Sequence, residues 1–130
     1  MGPFVVSRSR DWEYFSNEDD YLLCVIPSKV LAFEDSDGEQ VHADLLKLSL
    51  RSHKFRSHPA ESVTWSVEIY ACGLLVASDW LRLCPVEEAQ DLAEAFLADF
   101  MRRHDPAGYE AAVAAAAERR DRLSSACQRA

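Results

Sequence analysis

Val63-Thr64-Trp65-Ser66-Val67-Glu68-Ile69 alternates apolar and polar residues, and beyond Cys84-Pro85 that alternation gives way to a different spacing. There Val86, Ala89, Leu92, Ala93, Phe96, Leu97, Phe100 and Met101 recur at intervals of three and four. Period two puts every second side chain on one face of a strand, whereas the longer spacing makes one apolar stripe on a helix. The change of period at Pro85 therefore divides the chain into strands first and helices after. Between the two patterns, Cys72-Gly73 can turn the chain back into Leu74 to Ala77, and Trp80 to Leu83 continues beyond Ser78-Asp79.

Working towards the N-terminus, Leu46-Lys47-Leu48-Ser49-Leu50-Arg51-Ser52-His53 carries the same alternation, with its polar members on one face. Val30 to Glu34 and Tyr21 to Ile26 are short apolar runs, the second closed by Pro27, and Trp12 to Tyr14 alternates again. Asp35-Ser36-Asp37-Gly38 supplies turn chemistry. Towards the C-terminus, Pro85 suits a first helical position, and Glu87, Glu88 and Asp91 complement the positive helix start. Arg102, Arg103 and His104 complement the negative end, and Asp105-Pro106 stops this helix and caps the next. The last helix carries only a thin stripe of Tyr109, Val113, Ala116, Leu123 and Cys127 among alanines and arginines.

These patterns predict an α+β fold in one domain spanning 1–130. A mostly antiparallel sheet of about five to six strands over residues 3–83 is expected, a meander with one dry and one wet face. An amphipathic helix over 85–103 packs on it, followed by an Ala-rich helix over 106–127. Within such a meander the Tyr21–Ile26 and Val30–Glu34 runs are candidates to pair as a hairpin.

Composition narrows the function. The chain has 130 residues, a formal charge of −8 and 48% hydrophobic residues, which excludes wholesale disorder. The charge is blocked rather than mixed: residues 11–44 hold ten acids and one lysine, while Lys47, Arg51, Lys54 and Arg56 form a basic strip without an acid between them. Such an acidic chain is repelled by nucleic-acid backbones and anionic membranes and attracted to basic protein surfaces. No basic segment precedes Phe4-Val5-Val6, and Cys24, Cys72, Cys84 and Cys127 show no paired spacing, so the cytoplasm is the expected compartment.

Catalytic and metal motifs do not emerge. The glycines are isolated, which excludes a phosphate-cradling loop, and no Gly-x-Ser-x-Gly, His-Glu-x-x-His or Cys-x-x-Cys is present. On a calcium-loop pattern Asp35, Asp37, Gly38 and Asp44 would fall at positions 3, 5, 6 and 12, but Phe33 stands where the first acidic ligand belongs. The loop is read as a hairpin turn, and no cofactor or metal is expected.

The expected function is that of a non-enzymatic small acidic protein that binds and blocks a macromolecular partner. That partner would be a protein with a basic nucleic-acid-binding surface, the chain acting as an anti-CRISPR-like inhibitor, DNA mimic, or immunity or antitoxin-type protein. Glu18, Asp19, Asp20, Glu34, Asp35, Asp37, Glu39 and Asp44 are the expected partner-binding residues. The basic strip is a secondary candidate, and the Ala-rich last helix offers a homodimer contact. The alternative is a small enzyme or ligand-binding protein whose site is assembled in the sheet, with Trp65, Trp80, Tyr70 and His53 lining one cavity.

Overall fold

The computed structural model describes residues 12–15, 20–53 and 63–129. The chain is α+β, as its change of period predicts. Strands β1 (Trp12–Phe15), β2 (Asp20–Pro27), β3 (Leu31–Glu34), β4 (Gln40–His42), β5 (Leu45–His53), β6 (Val63–Ala71) and β7 (Leu74–Cys84) precede helices α1 (Val86–His104) and α2 (Pro106–Arg129). Five strands form one antiparallel sheet in the order β1-β2-β5-β6-β7, and β3 and β4 pair with each other in a separate ribbon. The meander is thus real, with an excursion of two short strands between β2 and β5. The excursion accounts for the excess over the expected five to six strands, and residues 3–11 of the predicted sheet lie outside the described residues.

One expected pairing is corrected. β2 does not form a hairpin with β3; it pairs with β5, with Tyr21 opposite Leu50 and Leu23 opposite Leu48. Length decides this, because the nine residues of β5 can cover the eight of β2 whereas β3 has only four. Pro27 marks the break, and Ser28, Lys29 and Val30 carry the chain off the main sheet before β3 begins.

The β6–β7 connection is a two-residue turn in which Cys72 has φ 53° and Gly73 φ 76°. Two successive positive φ values match the right-handed twist of the flanking strands, and glycine takes the second without strain. β7 then runs unbroken through Ser78-Asp79 for eleven residues, with a register shift where Ala77 faces Ile69 but Leu75 faces Tyr70.

The dry face of the sheet is formed by Leu46, Leu48 and Leu50 of β5 and Trp65, Val67, Ile69 and Ala71 of β6, all buried. α1 covers it with Ala89, Ala93, Leu97, Phe100 and Met101. The Trp65 indole N–H donates to the Cys84 carbonyl at 2.9 Å, so this buried donor is satisfied. The enclosed sector of α1 is rotated from the predicted stripe: Leu92 and Phe96 are only half-buried, whereas Gln90, Glu94 and Ala98 are enclosed. α1 touches both the sheet and α2, which widens the sector that solvent cannot reach.

Asp105 joins the two helices to the sheet. It caps α2 by accepting from the Gly108 N–H at 3.1 Å, three positions on, with Pro106 at the first helical position. Its other oxygen accepts from the Ser28 hydroxyl and the Lys29 N–H, both at 2.8 Å. Burial works to raise the Asp105 carboxyl, but the bonds from Lys29, Ser28 and Gly108 outweigh it and hold it below the ordinary carboxylate value. A Cβ on Gly108 would stand 2.1 Å from one Asp105 oxygen, so the bare glycine is what lets the carboxylate sit over the helix end.

Candidate partner-binding surfaces

The β3–β4 ribbon gathers half of the predicted acidic residues. Glu34 ends β3, Asp35 and Asp37 lie in the turn, and Glu39 precedes β4. Asp35 builds the turn itself, its Oδ1 accepting from the N–H groups of Asp37 and Glu39, both at 2.9 Å, while Gly38 takes φ 82°. Glu34, Asp37 and Glu39 are exposed. Behind them on the same ribbon Leu31 and Phe33 are also exposed, at 43% and 40% of their surface.

The remaining acidic candidates lie elsewhere. Asp44 stands at the foot of the ribbon and pairs with Lys29, which holds its carboxyl below the usual range by hydrogen bond and charge. Asp20 starts β2, where the register sets it beside Arg51 at the far end of the strand from the ribbon. Glu18 and Asp19 lie outside the described residues. Among the described acidic candidates, Asp20 is thus separated from the ribbon residues by the length of β2.

The second surface is the face of β5 and β6 that carries their polar residues. Lys47, Ser49 and Arg51 alternate there with the buried leucines, beside Ser66, Glu68 and Tyr70 of β6. Of the predicted basic strip, Lys47 and Arg51 are exposed on this face, and Lys54 and Arg56 lie outside the described residues. Arg51, Ser66 and Trp80 are set side by side across three strands, with Ser49, Glu68 and Ser78 in the next row.

A shallow groove of about 340 Å³ lies over these rows, lined by Arg51, His53, Ser66, Glu68, Ser78, Asp79 and Trp80. Trp80 is 61% exposed, more than any other large apolar residue described. The His53 ring packs against it with centroids 4.7 Å apart, and His53 Nε2 lies 2.9 Å from the Ser66 hydroxyl. Glu68 is held by the Tyr70 hydroxyl, which donates to it at 2.8 Å. Asp79 accepts from the Trp80 N–H at 2.8 Å.

The Ser66–His53 separation is that of a nucleophile and its base. Both residues lie within the β5–β6 ladder, however, where backbone N–H groups are committed to strand pairing rather than aimed at a developing oxyanion. The hydrogen bond fixes the histidine against Trp80. The single cavity expected for Trp65, Trp80, Tyr70 and His53 is not formed. Trp65 belongs to the dry face, and Tyr70 borders a different hollow of about 630 Å³ with Asp44, Leu45, Lys47, Cys72 and Gly73 at the other end of the sheet. Lys47 lies over the Tyr70 ring there, 5.9 Å from its centroid.

Among the described residues no group of three or more His, Cys, Asp or Glu is placed to hold a metal ion, and no helix is long and apolar enough to cross a membrane. Cys84 is buried, and burial pushes its thiol up, with Glu88 adding to the effect; Cys72 is exposed at the β6–β7 turn. No family model matches the chain, and no curated protein or solved structure resembles it significantly.

Trp80 and its groove were within reach of the sequence only as a residue on an alternating strand. Which face Trp80 would take depended on the register shift in β7, and nothing in the residue types announces that shift. Glu68 and Tyr70, by contrast, follow directly from the period-two pattern of β6.

Proposed function

We propose that this chain is a non-enzymatic cytoplasmic protein that binds and blocks a macromolecular partner through that partner's basic surface. The observation that carries the reading is the β3–β4 ribbon, which leaves the main sheet as a separate arm and presents Glu34, Asp37 and Glu39 beside exposed Leu31 and Phe33. Carboxylates steer a basic partner and set register, while exposed apolar side chains on the same arm supply area to bury on contact. A nucleic-acid-binding groove on a protein is the basic surface this chemistry fits best, and an inhibitor of the anti-CRISPR, DNA-mimic or immunity type is the corresponding role.

The test is capture from a nuclease-treated bacterial lysate, washed in parallel at low and high salt, using the native chain and a Glu34→Lys/Asp37→Lys/Glu39→Lys variant. The expected outcome is one stoichiometric nucleic-acid-handling protein that is retained at low salt, released at high salt and not captured by the variant. Equal capture by both proteins would remove the ribbon from the interface and overturn the reading.

A further inference from the structure

The geometry points to a second recognition element on the wet face of the sheet: the groove beside Trp80 receives an arginine side chain of the partner, stacked on the indole and paired with Glu68. The inference rests on the reading above for the basic character of the partner, but the site itself shares no residue with the ribbon.

Three observations support it. Trp80 offers a large aromatic face to solvent, and among the described residues neither Glu68 nor Asp79 forms an ion pair. Glu68 and Trp80 are diagonal neighbours on one face, because Ser66 faces Trp80 and Glu68 faces Ser78. Diagonal neighbours stand about 7–8 Å apart, which leaves room for one planar group between a ring and a carboxylate. A guanidinium fills such a gap by stacking on the indole while donating to the carboxylate, and its planar fork suits both contacts better than an ammonium does.

The groove is also held in shape before any ligand arrives. Ser66 fixes His53, His53 packs against Trp80, and Tyr70 orients Glu68. Less side-chain freedom is therefore lost when the groove is filled. Arg51 stands on β5, across Ser66 from Trp80, and its neighbour on the other side in the register is Asp20. The ribbon rejoins the sheet at Leu45, and the six residues from there to Arg51 span about 20 Å of strand, so the two elements are separate contacts.

The test follows the Trp80 indole N–H resonance of the full ¹⁵N-labelled chain during titration with N-acetyl-arginine amide, with N-acetyl-glutamate amide as control. A saturable shift with the arginine probe alone is expected, weakened about tenfold in Glu68→Gln, the change a lost charge-assisted hydrogen bond makes. Trp80→Phe, followed through the Tyr70 and Ser66 backbone resonances, is expected to weaken it less. No saturable shift, an equal response to the glutamate probe, or unchanged affinity in Glu68→Gln would each overturn the inference. A Glu34→Gln/Asp37→Asn/Glu39→Gln variant that keeps the Trp80 response while losing the lysate partner separates the groove from the ribbon. The reverse pattern, capture intact with no Trp80 response, leaves the ribbon reading standing and removes the groove.

Discussion

The two faces of strands β5 and β6 are built from alternate residues of the same segments, yet they obey different rules. On one face Leu46, Leu48, Leu50, Val67 and Ile69 are sealed under α1, where side chains interdigitate and any missing volume becomes a cavity. On the other, Lys47, Arg51, Ser66, Glu68 and Tyr70 meet solvent, and their contacts are hydrogen bonds and ring packing at part-exposed sites. One face is constrained by shape, so its residues are replaceable only by residues of like size. The other is constrained by the fold only to remain polar enough, which leaves its particular choice of Trp80, His53 and Glu68 available for recognition.

The largest expected effect lies on the sealed face. Leu48 is almost wholly enclosed at the centre of the sheet, between Leu23 of β2 and Ile69 of β6 in the register. Leu48→Ala should cost about 3 kcal/mol in a urea unfolding experiment, the lost transfer energy plus the cavity left behind. A loss below about 1 kcal/mol would mean that the layer collapses around the change, and the contrast between the faces would weaken.

An intermediate effect is expected where the two layers are tied together, at Asp105. Asp105→Ala removes the cap of α2 and the acceptor for Ser28 and Lys29, and should cost about 2 kcal/mol. Because the folded carboxyl sits below its unfolded value near 3.8, its contribution is fully present above that value and is lost as pH falls through the folded one. Asp105→Asn should therefore flatten the decline in stability below about pH 4. Gly108 gives a sharper form of the same test. Alanine in a helix ordinarily gains about 1 kcal/mol over glycine, but here its Cβ would displace the capping carboxylate. Gly108→Ala should be neutral or destabilising in the native background and stabilising by about 1 kcal/mol once Asp105 is alanine. The same sign in both backgrounds would refute the cap geometry.

Much of this architecture is legible in the residues themselves. The period of β6, the break at Pro85, the helix stripe and the Asp105-Pro106 stop are local signals, and each reads correctly because local geometry and burial agree there. What the sequence does not show is long-range choice. Whether β2 joins β3 or β5 is decided by matching lengths across an excursion of the chain, and the Ser28–Asp105 link joins residues 77 positions apart. The enclosure of Glu94 escapes as well, since a glutamate within a helix reads as solvent-facing until the neighbouring helix is placed. The acidic turn was recognisable as a turn, but its separation from the main sheet, which makes it an arm, needed the strand order.

The smallest expected effect tests the open face directly. Glu68→Gln keeps the size of the side chain and leaves an oxygen for the Tyr70 hydroxyl, so it should change unfolding stability by no more than about 0.5 kcal/mol at an unchanged urea slope. That near-silence matters because the same substitution is expected to weaken arginine binding about tenfold. A residue that barely supports the fold yet changes recognition by that factor belongs to a surface shaped for binding. If instead Glu68→Gln approached the cost of Leu48→Ala, the open face would be carrying the sheet, and the groove beside Trp80 would be a consequence of architecture rather than a place where a partner docks.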